Sequence, residues 1–527
     1  MKSALAAQQK QIEILRETVE KQRLLLELWS APTVSSPDLA IASLAPSVRP
    51  TPIVHPSPSV RPAPPSSRLV VPLPKPVTVA SSNPCNAETT GNVVPSYFRL
   101  GGTCIVPVGF MDVTGVWRNT NTGSGLGSNF GSIPYNNTVQ GGLSEFRFSA
   151  QNSRIGMRVD SAVKNIRVTG YLEADFFGFV PTNAAVTSNA DTLRMRLYWL
   201  DLRKGKWEGL AGQSWSLMTP NRNGLSPLPG DVFFSMAVDS NYMNGLVWTR
   251  QAQIRAVYHP NSKLAMGLSL EAPEQYIGGS GGGGAITMPA ALASSYATQL
   301  NNGSTTMSVP NSRPDVVVKA AFDTSFFGGR LLHLEAAGLA RSVSVFNQLS
   351  NKHFAKSGVG GSLNGSVGLT RNFRLVSNNF ASDGGGRYLF GLAPDAIIRA
   401  DGSPSLVNAY GTVDGMEASY FKSILFAYYG GTYIARNSAV DANGRTLIGY
   451  GFAGSSNSNN RAIQEITWGF NRTAWKDPRY GALNYMAQYA WMVRAPWWVA
   501  PGAPQNAHLN MVEFGLRYTL PGDMPKF

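Results

Sequence analysis

From Leu193 the chain alternates strictly: Leu193, Met195, Leu197 and Trp199 are apolar, with Arg194, Arg196 and Tyr198 between them. Successive side chains of an extended chain point to opposite faces, so this period predicts a strand with one oily face and one arginine-bearing face. The pattern recurs. Ile166, Val168 and Leu172 oppose Arg167, Thr169, Tyr171, Glu173 and Asp175; Leu264, Met266, Leu268 and Leu270 oppose Ala265, Gly267, Ser269 and Glu271. Near the end, Leu483, Tyr485, Ala487, Tyr489 and Trp491 oppose Asn484, Gln488 and Arg494, and Val512, Phe514, Leu516, Tyr518 and Leu520 oppose Glu513, Gly515, Arg517 and Thr519. Sixteen such segments are predicted: 105–117, 146–160, 164–176, 192–203, 207–216, 247–258, 263–272, 315–323, 331–345, 358–370, 372–382, 415–428, 431–436, 462–474, 481–493 and 507–520.

Their connections alternate in length. Short ones fall at 161–164, 203–206, 259–262, 324–329, near Arg371, at Gly430-Gly431 and at 476–480; long ones at 118–145, 177–191, 217–246, 273–314, 346–357, 383–414, 437–461 and 494–506. Short turns at one end and long loops at the other are the signature of an outer-membrane barrel. Sixteen strands closed with the oily face inward would enclose a lumen too wide for side chains to fill. The apolar face is therefore expected to meet lipid and the polar face water, and closure satisfies the edge strands that lipid cannot. Aromatic residues near strand ends suit the interfacial girdles: Phe176, Phe177, Phe326, Phe327, Tyr428, Tyr429, Trp475, Trp497 and Trp498. The predicted fold is all-β, a sixteen-stranded antiparallel transmembrane barrel over 101–527.

The first hundred residues read differently. Leu5, Ile12, Leu15, Val19, Leu26 and Trp29 fall at heptad core positions, with Gln8 and Gln22 at the other two. Residues 1–30 are read as a self-associating coiled-coil helix, with docking on its own chain as the alternative. Residues 31–100 form a Pro-rich linker expected to be extended polyproline II. Residues 1–30 lack the apolar core of a secretory signal although the remainder argues for export, so a signal has been removed or precedes the given start.

Composition narrows the picture. No apolar run approaches the roughly 20 residues that a membrane-spanning helix needs. The net charge of +14 admits nucleic acid, an anionic surface or anionic solutes as partners, but the basic residues are spread singly through strands and form no nucleic-acid module. Cys85 and Cys104 are spaced for one disulfide-closed loop in an oxidising compartment, with two free thiols as the alternative. The five histidines form no metal-ligand cluster. No Ser/His/Asp grouping sits at a recognisable spacing, and the GGSGGGG run at 278–284 lacks the Lys-Ser/Thr of a phosphate loop. Neither a catalytic residue, a cofactor nor a metal is expected.

The sequence resembles the trimeric porins of Gram-negative outer membranes, and most specifically the DcaP-like porins. The resemblance rests on SRIGMRVD (153–160), NIRVTGYLEADFFG (165–178), LRMRLYWLDL (193–202) and WEGLAGQSWS (207–216). VEFGLRYTL (512–520) resembles a terminal barrel-assembly signal, here followed by a short tail to Phe527. The resemblance implies an N-terminal coiled coil, a linker and a sixteen-stranded barrel. It also implies a homotrimer in outer-membrane lipid, with the N-terminal segment in the periplasm, and small carboxylates as solutes. It places the loop at 217–246 where such porins fold a loop inward, making Arg222, Asp231, Phe233, Phe234, Asp239 and Tyr242 candidate constriction residues; an ordinary external loop is the alternative.

Arg147, Arg154, Arg158, Arg167, Arg194, Arg196 and Arg255 all fall on the face assigned to the lumen, with Glu173 and Asp175 among them. Arginine keeps its charge and binds carboxylates bidentately, so one reading is a basic stripe selecting anions. The other is that these arginines pair with acids and only solvate the wall. The expected function is a passive, anion-preferring channel for small hydrophilic solutes. The alternative is a structural barrel tethering the envelope to the cell wall through the coiled coil.

Overall fold

A computed structural model describes residues 97–178, 191–227, 243–279, 283–301, 311–326 and 329–521. The coiled-coil helix and most of the linker lie outside these residues. Sixteen antiparallel strands form one closed sheet. They are β1 (Thr103–Arg118), β2 in two pieces (Glu145–Ser149 and Arg154–Val163), β3 (Ile166–Asp175), β4 (Arg194–Lys204), β5 (Trp207–Trp215), β6 (Arg250–Tyr258), β7 (Leu264–Glu271) and β8 (Asp315–Phe326). There follow β9 (Arg330–Asn347), β10 (Lys352–Gly368), β11 (Phe373–Asp383), β12 (Asn408–Tyr420), β13 (Ser423–Ile434), β14 (Asn460–Asp477), β15 (Gly481–Pro496) and β16 (Ala507–Thr519). Each strand pairs with its sequence neighbour, and β1 closes the ring on β16 from Phe110 opposite Thr519 to Arg118 opposite Met511.

The face assignment holds along most strands. Leu172, Met266, Leu268, Leu270, Phe514 and Leu516 are exposed on the outside, while Thr169, Tyr171, Glu173, Ser269, Glu271 and Glu513 are buried within.

The opening strand departs from strict alternation. Opposite β3, Glu173 pairs with Leu197 and Ala174 with Met195, so Arg196 is one residue too many. This is a β-bulge, and it places two consecutive residues on one side and inverts the alternation beyond it. Met195 is 55% exposed, Arg196 3%, Tyr198 56% and Trp199 4%. Leu197 and Trp199, expected on the oily face, therefore point inward, and Tyr198 points outward. Arg194 and Arg196 face inward as expected.

Two connections differ from expectation. Gly430 and Gly431 lie inside β13; the turn is at 421–422, with Phe421 at φ +51. Gly430 is needed for close packing instead, and Gly431 faces the outer wall. A Cβ on Gly430 would lie 2.3 Å from the Asn244 carbonyl oxygen of a segment inside the barrel. The expected long loop at 346–357 is a four-residue turn, 348–351, because β9 and β10 run on for 18 and 17 residues. Of the expected girdle, Phe326, Tyr429 and Trp475 are exposed on the outer wall, while Tyr428 points inward and Trp497 caps the Ile434 carbonyl. Phe327 lies outside the described residues.

The inner face is also less uniformly polar than expected. Inward Val317, Leu339, Phe380, Ala409 and Ile434 pack on Leu217, Met218, Val247, Tyr388, Leu389, Ile397 and Tyr450 from the long loops. Val116, Ile463, Met492 and Met511 pack on Leu126, Phe130 and Ile133 of the first long loop. The loops bury their own apolar side chains inside the barrel, so the wall beneath them is apolar where they rest.

Candidate functional site: the luminal wall and its inward loop

Alternation places Arg154 and Arg158 of β2, Arg167 of β3 and Arg194 and Arg196 of β4 side by side on the inner wall. Arg194 makes a bidentate pair with Asp175, 3.0 Å from Nε to Oδ1 and 2.7 Å from Nη2 to Oδ2. Arg196 donates to Glu173 at 2.6 Å and to the same Asp175 Oδ2 at 2.8 Å, and its guanidinium lies 5.7 Å from the Trp215 ring centre. Arg154 stands 3.8 Å from Glu173. Arg158 pairs with Asp160 at 2.5 Å. The shared carboxylates relieve the repulsion between Arg194 and Arg196.

Of the two readings of these arginines, the structure shows the pairing with acids. Arg154, Arg194 and Arg196 surround two carboxylates, which leaves one positive charge in excess. Arg196 is sealed in, whereas the Arg194 side chain is 40% exposed. Arg255 is buried and donates to the Trp215 carbonyl at 2.7 Å and to Gln253 at 3.0 Å. Arg147, on the upper piece of β2, is half-buried on the inner face.

The loop between β5 and β6 turns into the barrel. Its first limb runs along the inner wall of β7 to β9. The Leu217 amide donates to Glu271 at 2.8 Å, the Asn221 amide to Glu335 at 3.2 Å and the Gly224 amide to Asp323 at 2.9 Å. Lys319 ties this limb down, donating to the Thr219 carbonyl at 2.7 Å, to Asn221 Oδ1 at 2.9 Å and pairing with Glu335 at 2.8 Å. His333 bridges Asp323 at 2.7 Å and Glu335 at 3.3 Å. Arg222 reaches β12, pairing with Glu417 at 2.5 Å. Glu417 also accepts from Arg374 and, at 2.8 Å, from the Tyr428 hydroxyl. Burial opposes the charge on Arg222, but the Glu417 carboxylate outweighs it and holds the guanidinium above its ordinary pKa.

The returning limb crosses to β13 and β14. The Asn244 amide donates to Glu465 at 2.8 Å, and its side chain donates to the Ile463 carbonyl at 2.8 Å and accepts from Thr432 at 2.8 Å. The loop leaves β5 and is anchored as far round as β14, so it spans the lumen. Asp231, Phe233, Phe234, Asp239 and Tyr242 lie outside the described residues.

Lys319, Glu335, Arg374, Glu417, Glu465 and Asn244 were not singled out by sequence. The charged ones share a signal: each is a charge at an inward position of a strand whose outward positions are mostly apolar, as in DVVVKAAF and LLHLEAAG. A buried charge marks a partner, but the loop partners lie 100 or more residues away in sequence, as Thr219 does from Lys319 and Asn221 from Glu335.

The long-loop end carries a second ionic knot. Asp315 accepts from Arg341 at 3.2 Å, Arg387 at 2.6 Å and the Tyr388 hydroxyl at 3.0 Å, and Arg341 also pairs with Asp395 at 2.7 Å. It fixes the 384–407 loop across the mouth. Cys104 is buried on β1; Cys85 lies outside the described residues.

No family model matches the sequence, and no curated protein matches it. Solved structures do. The outer membrane channel DcaP of Acinetobacter baumannii aligns over 81% of this chain and 100% of its own at a TM-score of 0.57 and 17% identity. The fold is that of a DcaP-like porin. OmpT of Vibrio cholerae aligns over 81% of the chain and 100% of its own at 9% identity and a TM-score of 0.42. Salmonella typhi OmpF, in complex with daunomycin, aligns over 80% and 100% at 9% identity and 0.43. At 17% identity, the likeness to DcaP speaks for the barrel and not for its solute.

Proposed function

We propose that the chain is a porin of a Gram-negative outer membrane. It passes small hydrophilic solutes by diffusion and prefers anions such as small carboxylates. The observation that supports this best is the Arg154/Arg194/Arg196 cluster. It keeps a partly exposed, excess positive charge on the inner wall of a barrel that an inward loop narrows. Low-dielectric walls focus such a charge on passing ions. The long loops face outward from the cell, the short turns and the N-terminal segment face the periplasm, and Cys85 and Cys104 form a disulfide. Three copies associate through their outer walls, with the coiled coil raising the local concentration of protomers. Reconstituting the full-length chain in planar bilayers tests the reading. Discrete conductance steps and an anion-directed reversal potential in a salt gradient are expected; cation preference would overturn the anion assignment. Native mass spectrometry in mild detergent should give a trimer.

A further inference from the structure

The outer wall is apolar nearly everywhere, but not across β11 and β12. Ser377 and Asn379 of β11 pair in register with Asp414 and Thr412 of β12. Along β12 the inward residues are Ala409, Gly411, Val413 and Glu417, so Thr412 and Asp414 point outward, as do Ser377 and Asn379 between inward Val376 and Phe380. The Ser377 hydroxyl donates to Asp414 Oδ1 at 2.5 Å. The Thr412 hydroxyl lies 2.7 Å from Asp414 Oδ2 and 3.0 Å from Asn379 Oδ1, and Asn379 donates to Ser377 Oγ at 3.0 Å. Gln464 of β14 is exposed on the same wall. Asn379 and Thr412 of this cluster, but not Ser377 or Asp414, line a cleft of about 720 Å³ together with Gly361, Leu363, Ala381, Tyr410, Tyr429 and Gly431.

The depth of this cluster matters. Tyr420 and Phe421 mark the short-turn end of the wall, and the cross-strand pair Tyr410 and Tyr433 marks the other. Asp414 lies six positions from Tyr420 along β12, roughly 15 Å up a strand tilted at about 40°. That is inside an apolar band about 25 Å tall. Ionisable groups at such depth are costly against lipid and mark interaction or function. Asp414 has hydroxyl partners but, among the described residues, no ion pair. It also lies outside the lumen, so conduction does not account for it.

We propose that this wall docks a different membrane-embedded polypeptide, one that presents a lysine or arginine to Asp414. The chemistry disfavours the other occupants. Acyl chains carry no cation or donor to this depth. A second copy of the chain supplies none at this level: the outward Arg472 of β14 stands opposite Ser423 beside the short turn, well below Asp414. The cleft floor of Gly361, Ala381 and Gly431 lets a partner backbone come close, as small residues do between membrane segments. Tyr410 and Tyr429 flank the polar cluster. The proposal rests on the outer-membrane barrel reading above.

A photo-crosslinking side chain in place of Leu363, which is 65% exposed, tests it in the full-length chain in its native outer membrane. An adduct with another polypeptide is expected, whose cross-linked peptide contains Lys or Arg. Asp414→Asn should lower its yield by about fivefold. Asp414→Lys combined with Glu at the mapped partner residue should restore it. Adducts with lipid only or with a second copy, an adduct indifferent to Asp414→Asn, or no adduct would each overturn the proposal. Conductance of the Asp414→Asn protein separates the two readings: it should equal that of the unaltered chain, and a chain that conducts without the adduct loses only the docking surface.

Discussion

Arg194 and Arg196 differ by two positions, yet their replacement should have opposite consequences. Arg194 is partly exposed, and its carboxylate, Asp175, keeps Arg196 when Arg194 is lost. Arg194→Gln therefore removes the excess charge of the cluster without stranding a buried acid. For an anion passing at about 6 Å, a unit charge in a water-like dielectric is worth about 0.7 kcal/mol, or roughly threefold in local concentration. With a Debye length of about 30 Å at 10 mM salt, most of that survives, and since cations are repelled by as much, the anion-to-cation permeability ratio should fall about five- to tenfold. At 1 M, where the length is about 3 Å, the effect should shrink to about 0.1 kcal/mol. Arg196→Gln is a different experiment. It leaves Glu173 with Arg154 at 3.8 Å and the Tyr171 hydroxyl at 3.1 Å, and breaking a buried pair from one side costs about 3–5 kcal/mol. That variant should lose resistance to heat and denaturant. Reversal potentials in planar bilayers at both salt concentrations, with gel-shift melting of the barrel, measure both effects. A permeability ratio unchanged by Arg194→Gln at 10 mM salt would refute the claim that this cluster sets ion preference.

The bulge gives a sharp contrast one residue further on. Tyr198→Arg places a charge against lipid and should impair insertion by about 2–4 kcal/mol near the midplane, whereas Trp199→Arg faces the lumen and should assemble; folding yields in vesicles decide it. Lys319→Met leaves Glu335 and the Thr219 carbonyl without their cation and should destabilise the loop anchor by about 3–5 kcal/mol, read as faster proteolysis of the 217–227 limb. Tyr296, buried against the Gly402 carbonyl at 2.9 Å, has its hydroxyl pushed up to about 12 by burial and then by the Asp401 carboxylate. A raised folded-state pKa means that its contribution is whole below about pH 10 and is lost as pH rises through about 12; Tyr296→Phe should remove this part of the alkaline transition of the loop core, followed by hydrogen exchange.

Much of the barrel was legible because lipid and water impose a period of two that needs no knowledge of neighbours. Arg154, Arg158, Arg167, Glu173 and Asp175 could be placed on the inner face by counting alone. So could the number of strands, since each must cross the same thickness. The Arg196 bulge could not be counted, because an extra residue in one strand is defined only by the register of the strand beside it. The same holds for Gly430-Gly431. The pair reads as a turn in isolation, and only the Asn244 carbonyl arriving from 186 residues away makes Gly430 a packing site. The inward loop was placed by resemblance, but its anchors Lys319, Glu335, Glu417 and Glu465 were invisible as a group, because they sit on four different strands and only the loop brings them together. The polar cluster of Ser377, Asn379, Thr412 and Asp414 needed most from the fold. Its residues are unremarkable on each strand and became a single patch only when β11 and β12 aligned, since hydrogen-bond register between strands, and not sequence spacing, decides which side chains are neighbours.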